Sequence, residues 1–211
     1  MRGGLNIGAI MNEIASHWSE IHKNKDKEVS WWQEILWLDF LDYLTPTGAA
    51  IDVGSGQSPM AIELAKSGFD PVFVNDIAEN ALSKLTQLAK ESGVDLIPIA
   101  GSVLELKLPT PVSLWHDRAV FHFLSGAEVD KYKEIVISNT APDAFLVIAT
   151  FSENGPDQCS NLDVSKYSPS ELAGVFSPEF KEVFSNKRIH TTPWNSTQEF
   201  SFVILQKQNF A

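Results

Sequence analysis

Apolar runs alternate with helix-like segments along most of the chain, beginning at residue 49. Short apolar runs of the length of buried strands predict strands at 49–53, 71–75, 96–100, 112–116 and 144–151. Helical spacing of apolar residues and helix-start signals predict helices at 59–67, 78–92, 127–140 and 169–176. Strands and helices that alternate in this way are typical of a parallel sheet covered by helices.

The C-terminal part of the chain has a different pattern. Strand-like stretches at 187–191 and 199–205 follow each other with no helix between them, which indicates an antiparallel hairpin. The sequence therefore predicts an α/β fold: a Rossmann-like, doubly wound, mainly parallel seven-stranded sheet with a C-terminal antiparallel hairpin and helices on both faces.

The first 44 residues have helical spacing of their apolar positions. A helix is predicted at 11–22, and a second helical pattern runs up to Leu44, where Thr45 and Pro46 end it. We therefore expect a single domain over 1–211, in which residues 1–44 form a helical lid and 45–211 form the Rossmann-like core.

A glycine-rich turn follows the first predicted strand, with the sequence Asp-Val-Gly-Ser-Gly-Gln-Ser-Pro over residues 52–59. Two glycines at this place allow a sharp turn and a close approach of the backbone to a nucleotide-like ligand. Pro59 stands where a dinucleotide fold needs a small residue, and no lysine of a P-loop follows. The carboxylate of Asp52 repels a pyrophosphate but suits a cationic, amino-bearing ligand.

A second acid, Asp76, ends the second predicted strand, twenty residues after Gly56. A carboxylate at this place can accept hydrogen bonds from both hydroxyls of an adenosine ribose, and Ile77 can then pack on the adenine. The alternative is that Asp76 caps the helix that follows, and the two roles are compatible.

The Asp-x-Gly-x-Gly pattern of residues 52–56 resembles motif I of the class I S-adenosylmethionine-dependent methyltransferases, and the resemblance extends over about residues 45–205. It implies S-adenosylmethionine as the cofactor. It also implies that Asp52 lies by the methionine moiety, that Gly54, Ser55 and Gly56 pass beneath the cofactor, and that Asp76 and Ile77 contact its nucleoside. Ser102 and Val103 stand where the family often has an acid for the adenine amino group; the alternative there is a plain turn.

The segment 115–124, Trp-His-Asp-Arg-Ala-Val-Phe-His-Phe-Leu, is the second stretch with candidate chemistry. The Asp117–Arg118 pair at a strand end is similar to the corresponding segment of the thiopurine methyltransferase-like branch. That resemblance implies that Trp18 and Trp32 cover the cofactor and that Arg118 faces the sulfonium end or an acidic substrate. His116 is assigned to the cofactor site, and Asp117, Arg118 and His122 are candidate catalytic residues. The alternative is an Asp117–Arg118 salt bridge with His122 on a helix face.

The composition of the chain limits the kinds of partner and ligand that it is expected to bind. A formal net charge of −11 disfavours nucleic acid and anionic membrane surfaces. The single cysteine, Cys159, excludes an intrachain disulfide and a multi-thiolate metal site, and the histidines lack the spacing of a zinc motif, so no metal is expected. No signal peptide and no run of about 20 apolar residues is visible, so a cytoplasmic location is predicted. The oligomeric state stays open.

The leading prediction is a methyltransferase that transfers a methyl group from S-adenosylmethionine to a small-molecule nucleophile. A compact substrate is favoured because the N-terminal cover is short and no large domain is inserted. A protein lysine methyltransferase and a cofactor-binding protein without turnover are the alternatives. A nicotinamide-dependent oxidoreductase is disfavoured by Asp52, Pro59 and the terminal hairpin.

Overall fold

In the computed structural model, which describes residues 7–23, 37–192 and 195–209, the long predicted strands form one sheet. The described strands are β1 (Ala50–Val53), β2 (Val72–Asp76), β3 (Ile97–Ala100), β4 (Val112–Arg118), β5 (Thr140–Phe151), β6 (Gln158–Cys159), β7 (Leu162–Asp163), β8 (Phe180–Thr191) and β9 (Thr197–Lys207). Seven of them lie in the order β3-β2-β1-β4-β5-β9-β8, and β6 and β7 form a separate two-stranded ribbon. Strands β1 to β5 are parallel, and β9 runs antiparallel to both β5 and β8. The predicted fold class is confirmed.

The helices lie on both faces of this sheet. They are α1 (Ile7–Lys23), α2 (Met60–Ser67), α3 (Glu79–Glu91), α4 (Ala127–Asn139) and α5 (Pro169–Val175). One apolar core holds side chains of α2 and α3 against the sheet, and a second holds side chains of α4 and α5 against the other face. Every residue of β1 is buried because the strand is covered on both sides.

The segment before the sheet differs from the prediction. In place of an α-helix up to Leu44, the described part is a 3-10 helix at Leu38–Tyr43, and the backbone of Leu44 is extended. The segment is held flat on the sheet because Phe40 is fully buried and Arg188 donates to both carboxylate oxygens of Asp39 at 2.7 Å. This part of the predicted lid therefore packs on the sheet.

Two further differences concern the C-terminal half. Strand β8 begins earlier in the chain than the predicted strand at 187–191. Its N-terminal part was missed because most side chains of the strand are exposed or half-buried, so no apolar run marks it. The ribbon of β6 and β7 was not predicted, since each of its strands has two residues. None of the helices in the described ranges is long and apolar enough to cross a membrane.

Candidate functional site

A cavity of about 690 Å³ opens at the carboxyl ends of the parallel strands. It lies where the strand order reverses, because β1 stands between β2 on one side and β4 on the other. Open α/β sheets bind their ligands at this point. Helix α1 and the ribbon of β6 and β7 cover the cavity, and the loops after β1, β2, β3 and β4 form its floor.

The glycine turn after β1 forms part of the floor, and the structure explains both glycines. Gly54 and Gly56 have φ angles of +58° and +52°, a left-handed conformation that favours glycine. A Cβ on Gly54 would lie 1.9 Å from Cγ2 of Val120, and one on Gly56 would lie 3.1 Å from Cε1 of His22. Both glycines line the cavity, whereas Ser55 is buried and donates its N–H to the Asn75 carbonyl at 3.0 Å.

Asp76 joins the turn to the next helix and also faces the cavity. Its Oδ2 accepts the N–H of Gly56 and its Oδ1 accepts the N–H of Ala78, each at 2.8 Å. Burial raises the pKa of Asp76 to about 6, against the opposing effect of these hydrogen bonds, and the charge of Asp52 raises it further. The side chain lines the cavity, and a carboxylate oxygen with one hydrogen bond can accept another. Capping and ligand binding are therefore compatible here.

The loops after β2 and β3 form one side of the cavity, lined by Ile77, Ser102 and Val103. Ser102 Oγ accepts the N–H of Leu104 at 3.2 Å and caps a short 3-10 helix. Asn75, which sequence reasoning missed, donates from Nδ2 to the carbonyls of Ile99 and Gly101 at 2.9 and 3.0 Å. Its polar side chain in an apolar strand was the available signal.

Asp52 and His116 do not line the cavity, although both were predicted to contact the cofactor. They lie below the glycine turn, where His116 Nδ1 donates to Asp52 Oδ1 at 2.7 Å and Phe40 covers the imidazole at a ring distance of 5.7 Å. Asp52 influences the site through its charge, because it raises the pKa of both Asp76 and Arg118. Its Oδ2 has no hydrogen-bond partner among the described residues.

Asp117 and Arg118 lie on opposite faces of β4, because successive strand residues alternate. Asp117 is fully buried and accepts hydrogen bonds from the Tyr132 hydroxyl and, at 2.9 Å, from the N–H of Val120. Burial raises the pKa of Asp117 to about 6, while the Tyr132 hydrogen bond lowers it. The carboxylate holds the turn after β4 and does not reach the cavity, which contradicts the predicted catalytic contact.

Arg118 does line the cavity, at the end of β4. Burial lowers its pKa, and the nearby charge of Asp52 raises it. The next residue, Ala119, has a φ of +69° and donates its N–H to the Ala149 carbonyl at 2.9 Å. A left-handed alanine is uncommon and marks a turn that its surroundings hold in place.

His122 is fully buried behind the cavity wall. Its imidazole stacks on Phe151 with ring centroids 4.7 Å apart, and Phe123 stands edge-on at 4.4 Å. Both phenylalanines line the cavity, whereas His122 does not. Burial lowers the pKa of His122 to about 3, so the ring is neutral at physiological pH.

Helix α1 forms the roof over the floor loops. Trp18 lines the cavity and meets Phe123 edge-on at 5.5 Å. His17 Nε2 donates to the Ser160 carbonyl at 3.0 Å, which joins α1 to the ribbon. Asn80 Nδ2 donates to the Ser19 carbonyl at 3.0 Å and fixes the other side of the helix. The predicted lid residue Trp32 lies outside the described residues.

The far half of the cavity, which is formed by the end of β5, the start of β9 and the ribbon, contains no residue that was assigned to the site from the sequence. Phe151 at the end of β5 pairs in register with Phe200 near the start of β9, and both line the cavity together with Gln198 and the ribbon 158–163. No local motif marks these residues. Within the described parts of the chain, no group of three metal-ligating side chains is found.

Comparisons with known proteins agree with this architecture. No family model and no curated protein matches the chain. Among solved structures, the 1,6-didemethyltoxoflavin-N1-methyltransferase of Burkholderia thailandensis is 17% identical, with 99% of this chain and 92% of that chain covered and a TM-score of 0.75. The N-methyltransferase NodS of Bradyrhizobium japonicum WM9 is 10% identical, with 92% and 100% covered and a TM-score of 0.70.

A third similar structure is an S-adenosylmethionine-dependent methyltransferase of Anabaena variabilis. It is 10% identical over 94% of this chain and 95% of that chain, with a TM-score of 0.73. Likenesses at such low identity concern the fold, and here they extend over nearly the whole of each chain. The chain therefore has the fold of the class I S-adenosylmethionine-dependent methyltransferases.

Proposed function

We propose that this protein transfers a methyl group from S-adenosylmethionine to a small-molecule nucleophile. The observation that carries the proposal is the carboxylate of Asp76, which faces the cavity beside the left-handed turn at Gly54 and Gly56. A carboxylate at this place suits the two hydroxyls of a ribose. The fold supports the same cofactor class.

The residues present fit the cofactor. Gly54 and Gly56 line the cavity without a side chain of their own, and Asp76 retains acceptor positions toward the cavity. Ile77 and Ser102 stand beside it for the adenine. When bound between these residues, the cofactor would supply a methyl group that is already activated for transfer, because it is carried on a positively charged sulfonium sulfur. The chain's part is to hold both reactants in line and to exclude water.

The enclosure of the cavity supports a small acceptor. Trp18 of α1 and the ribbon cover the far half, and the bond from His17 to the Ser160 carbonyl joins the two covers. The net charge of −11 supports an acceptor other than nucleic acid.

Calorimetric titration tests the cofactor. The full chain is expected to bind S-adenosylmethionine and S-adenosylhomocysteine but not NAD. Asp76→Asn is expected to weaken binding of S-adenosylhomocysteine by roughly 1–3 kcal/mol, because an amide satisfies the surrounding donors poorly. Asp95→Asn, at an exposed position away from the cavity, is the matched control and should leave the affinity unchanged.

A labelled-methyl assay separates the alternatives. The full chain is incubated with labelled S-adenosylmethionine and either a small-molecule extract or the protein fraction of a cell lysate. Label in small molecules supports the proposal, and label confined to protein favours a protein lysine methyltransferase. Cofactor binding without label in either fraction favours a protein without turnover, and binding of NAD alone refutes the proposal.

A further inference from the structure

The imidazole of His122 is a buried polar group that the fold does not use. Neither ring nitrogen has a hydrogen-bond partner among the described residues, and the side chain is fully buried. Buried polar side chains in native proteins nearly always have a partner, and an orphaned one destabilises the fold. An apolar ring would fill the same space without this cost.

His122 lies directly behind the wall of the far half of the cavity. Its ring is sandwiched between Phe151, in a stacked arrangement, and Phe123, in an edge-on arrangement. Both rings line the cavity, so one aromatic layer separates the imidazole from the space for the acceptor. Phe123 is half-buried, and its other described ring contact is with Trp18 of the roof.

The cavity wall around this point is aromatic. Trp18, Phe123, Phe151 and Phe200 line it, and Phe151 and Phe200 stand 4.8 Å apart. Such walls pack best against flat, apolar rings. The acids Glu128 and Asp163 also line the cavity; both are at exposed positions, where Glu128 accepts the N–H of Ser125 and Asp163 accepts from the Gln158 amide.

We propose that His122 binds the methyl acceptor, and that the acceptor is a small ring compound that carries an O–H or N–H group. On entry the acceptor displaces the Phe123 ring and donates its O–H or N–H to an imidazole nitrogen, which satisfies one of the two orphaned atoms. This inference rests on the proposed function and names the acceptor class of the same site. It favours oxygen or nitrogen over sulfur as the methylated atom, because S–H is a weak donor.

A neutral ring is suited to this role. An imidazole without a proton has one nitrogen that accepts a hydrogen bond, whereas an imidazolium has none. Because His122 stays neutral over the physiological range, it is always able to accept. The bond orients the lone pair of the acceptor atom and selects against ring compounds without a donor.

Phenol and toluene are matched probes, since they share ring and size but differ in the donor. The full chain, saturated with S-adenosylhomocysteine and also without it, is titrated with each. In His122→Phe the ratio of phenol affinity to toluene affinity is expected to fall about tenfold relative to the wild type. Thr150→Val is the matched control, because it removes another buried, unpartnered polar atom in the described structure and should leave the ratio unchanged.

Nitrogen-15 NMR of the histidine side chains gives a second readout that needs no variant. Phenol is expected to shift one His122 ring nitrogen, and toluene is expected not to. An unchanged affinity ratio in His122→Phe, an equal loss in Thr150→Val, or a wild-type chain that does not bind phenol up to its solubility overturns the inference. If phenol binds as expected but S-adenosylhomocysteine does not bind, the proposed function fails and the inference about His122 stands as ring recognition.

Discussion

Replacing His122 with phenylalanine should make the protein more stable in a way that depends on pH. The phenyl ring keeps the packing against Phe123 and Phe151 and removes two nitrogens without partners. The size of the gain at neutral pH depends on how well the phenyl ring fits. The change of this gain with pH does not depend on the fit of the ring, because it follows from proton binding alone.

The magnitude follows from linkage. Burial lowers the pKa of His122 from 6.5, its ordinary value, to about 3. Below pH 6.5 the unfolded chain therefore binds a proton that the folded chain does not bind, and folding stability falls by about 1.4 kcal/mol for each pH unit. Between about pH 7.5 and pH 5 the wild type should lose about 2 kcal/mol through this group. The variant lacks this loss.

Urea denaturation at a series of pH values measures the effect. The difference in unfolding free energy between His122→Phe and the wild type should grow by about 2 kcal/mol on going from pH 7.5 to pH 5. Asp76 and Asp117, whose pKa values burial raises to about 6, titrate in both proteins and cancel in the difference. A difference that stays constant over this range would show that His122 is protonated in the folded chain and would refute its burial as a neutral ring.

Two further substitutions test the floor and the turn after β4. Gly54→Ala should abolish binding of S-adenosylhomocysteine in calorimetry, since its Cβ would meet Val120 at 1.9 Å; adding Val120→Ala should restore only part of it, because the φ of +58° still strains an alanine. Tyr132→Phe should cost about 1–3 kcal/mol in urea denaturation at pH 8, where buried Asp117 loses a donor. The cost should shrink below pH 6 as Asp117 becomes protonated, and an equal cost at both pH values would contradict that assignment.

Part of the cavity floor could be predicted from the sequence because its residues are close along the chain to the strand ends that place them. The turn at Gly54 and Gly56 follows β1 directly, and Asp76 is the last residue of β2. A strand and the residue after it are local features. Their position at the sheet edge follows once the sheet is known to be parallel.

The face of the sheet on which a strand residue lies was harder to predict from the sequence. Asp117 and Arg118 were both assigned to the site, yet alternation along β4 allows only one of two neighbours to face the cavity. The sequence does not say which, because both faces of the sheet are buried under helices and the apolar residues give no contrast. Asp52 and His116 were misplaced for a different reason: they pair with each other on the same face of the sheet as Arg118, but they lie further from the carboxyl ends of their strands.

The far half of the cavity depends on pairing that local patterns do not contain. Phe151 and Phe200 meet only because β9 enters the sheet antiparallel to β5 in one register. A shift of that register by one residue would turn Phe200 to the opposite face. The ribbon of β6 and β7 has four strand residues in all, too few for any periodicity.

The antiparallel insertion of β9 brings a distant part of the chain to the cavity, so that its lining has two separate origins. The ends of β1, β2 and β3 carry one part, while Phe151, Phe200 and Gln198 belong to the chain after residue 150. Substitutions in distant parts of a protein tend to have additive effects. The fold is therefore modular: a library of variants in β9 and the ribbon can be screened for new acceptors while the loops of the first three strands are left unaltered.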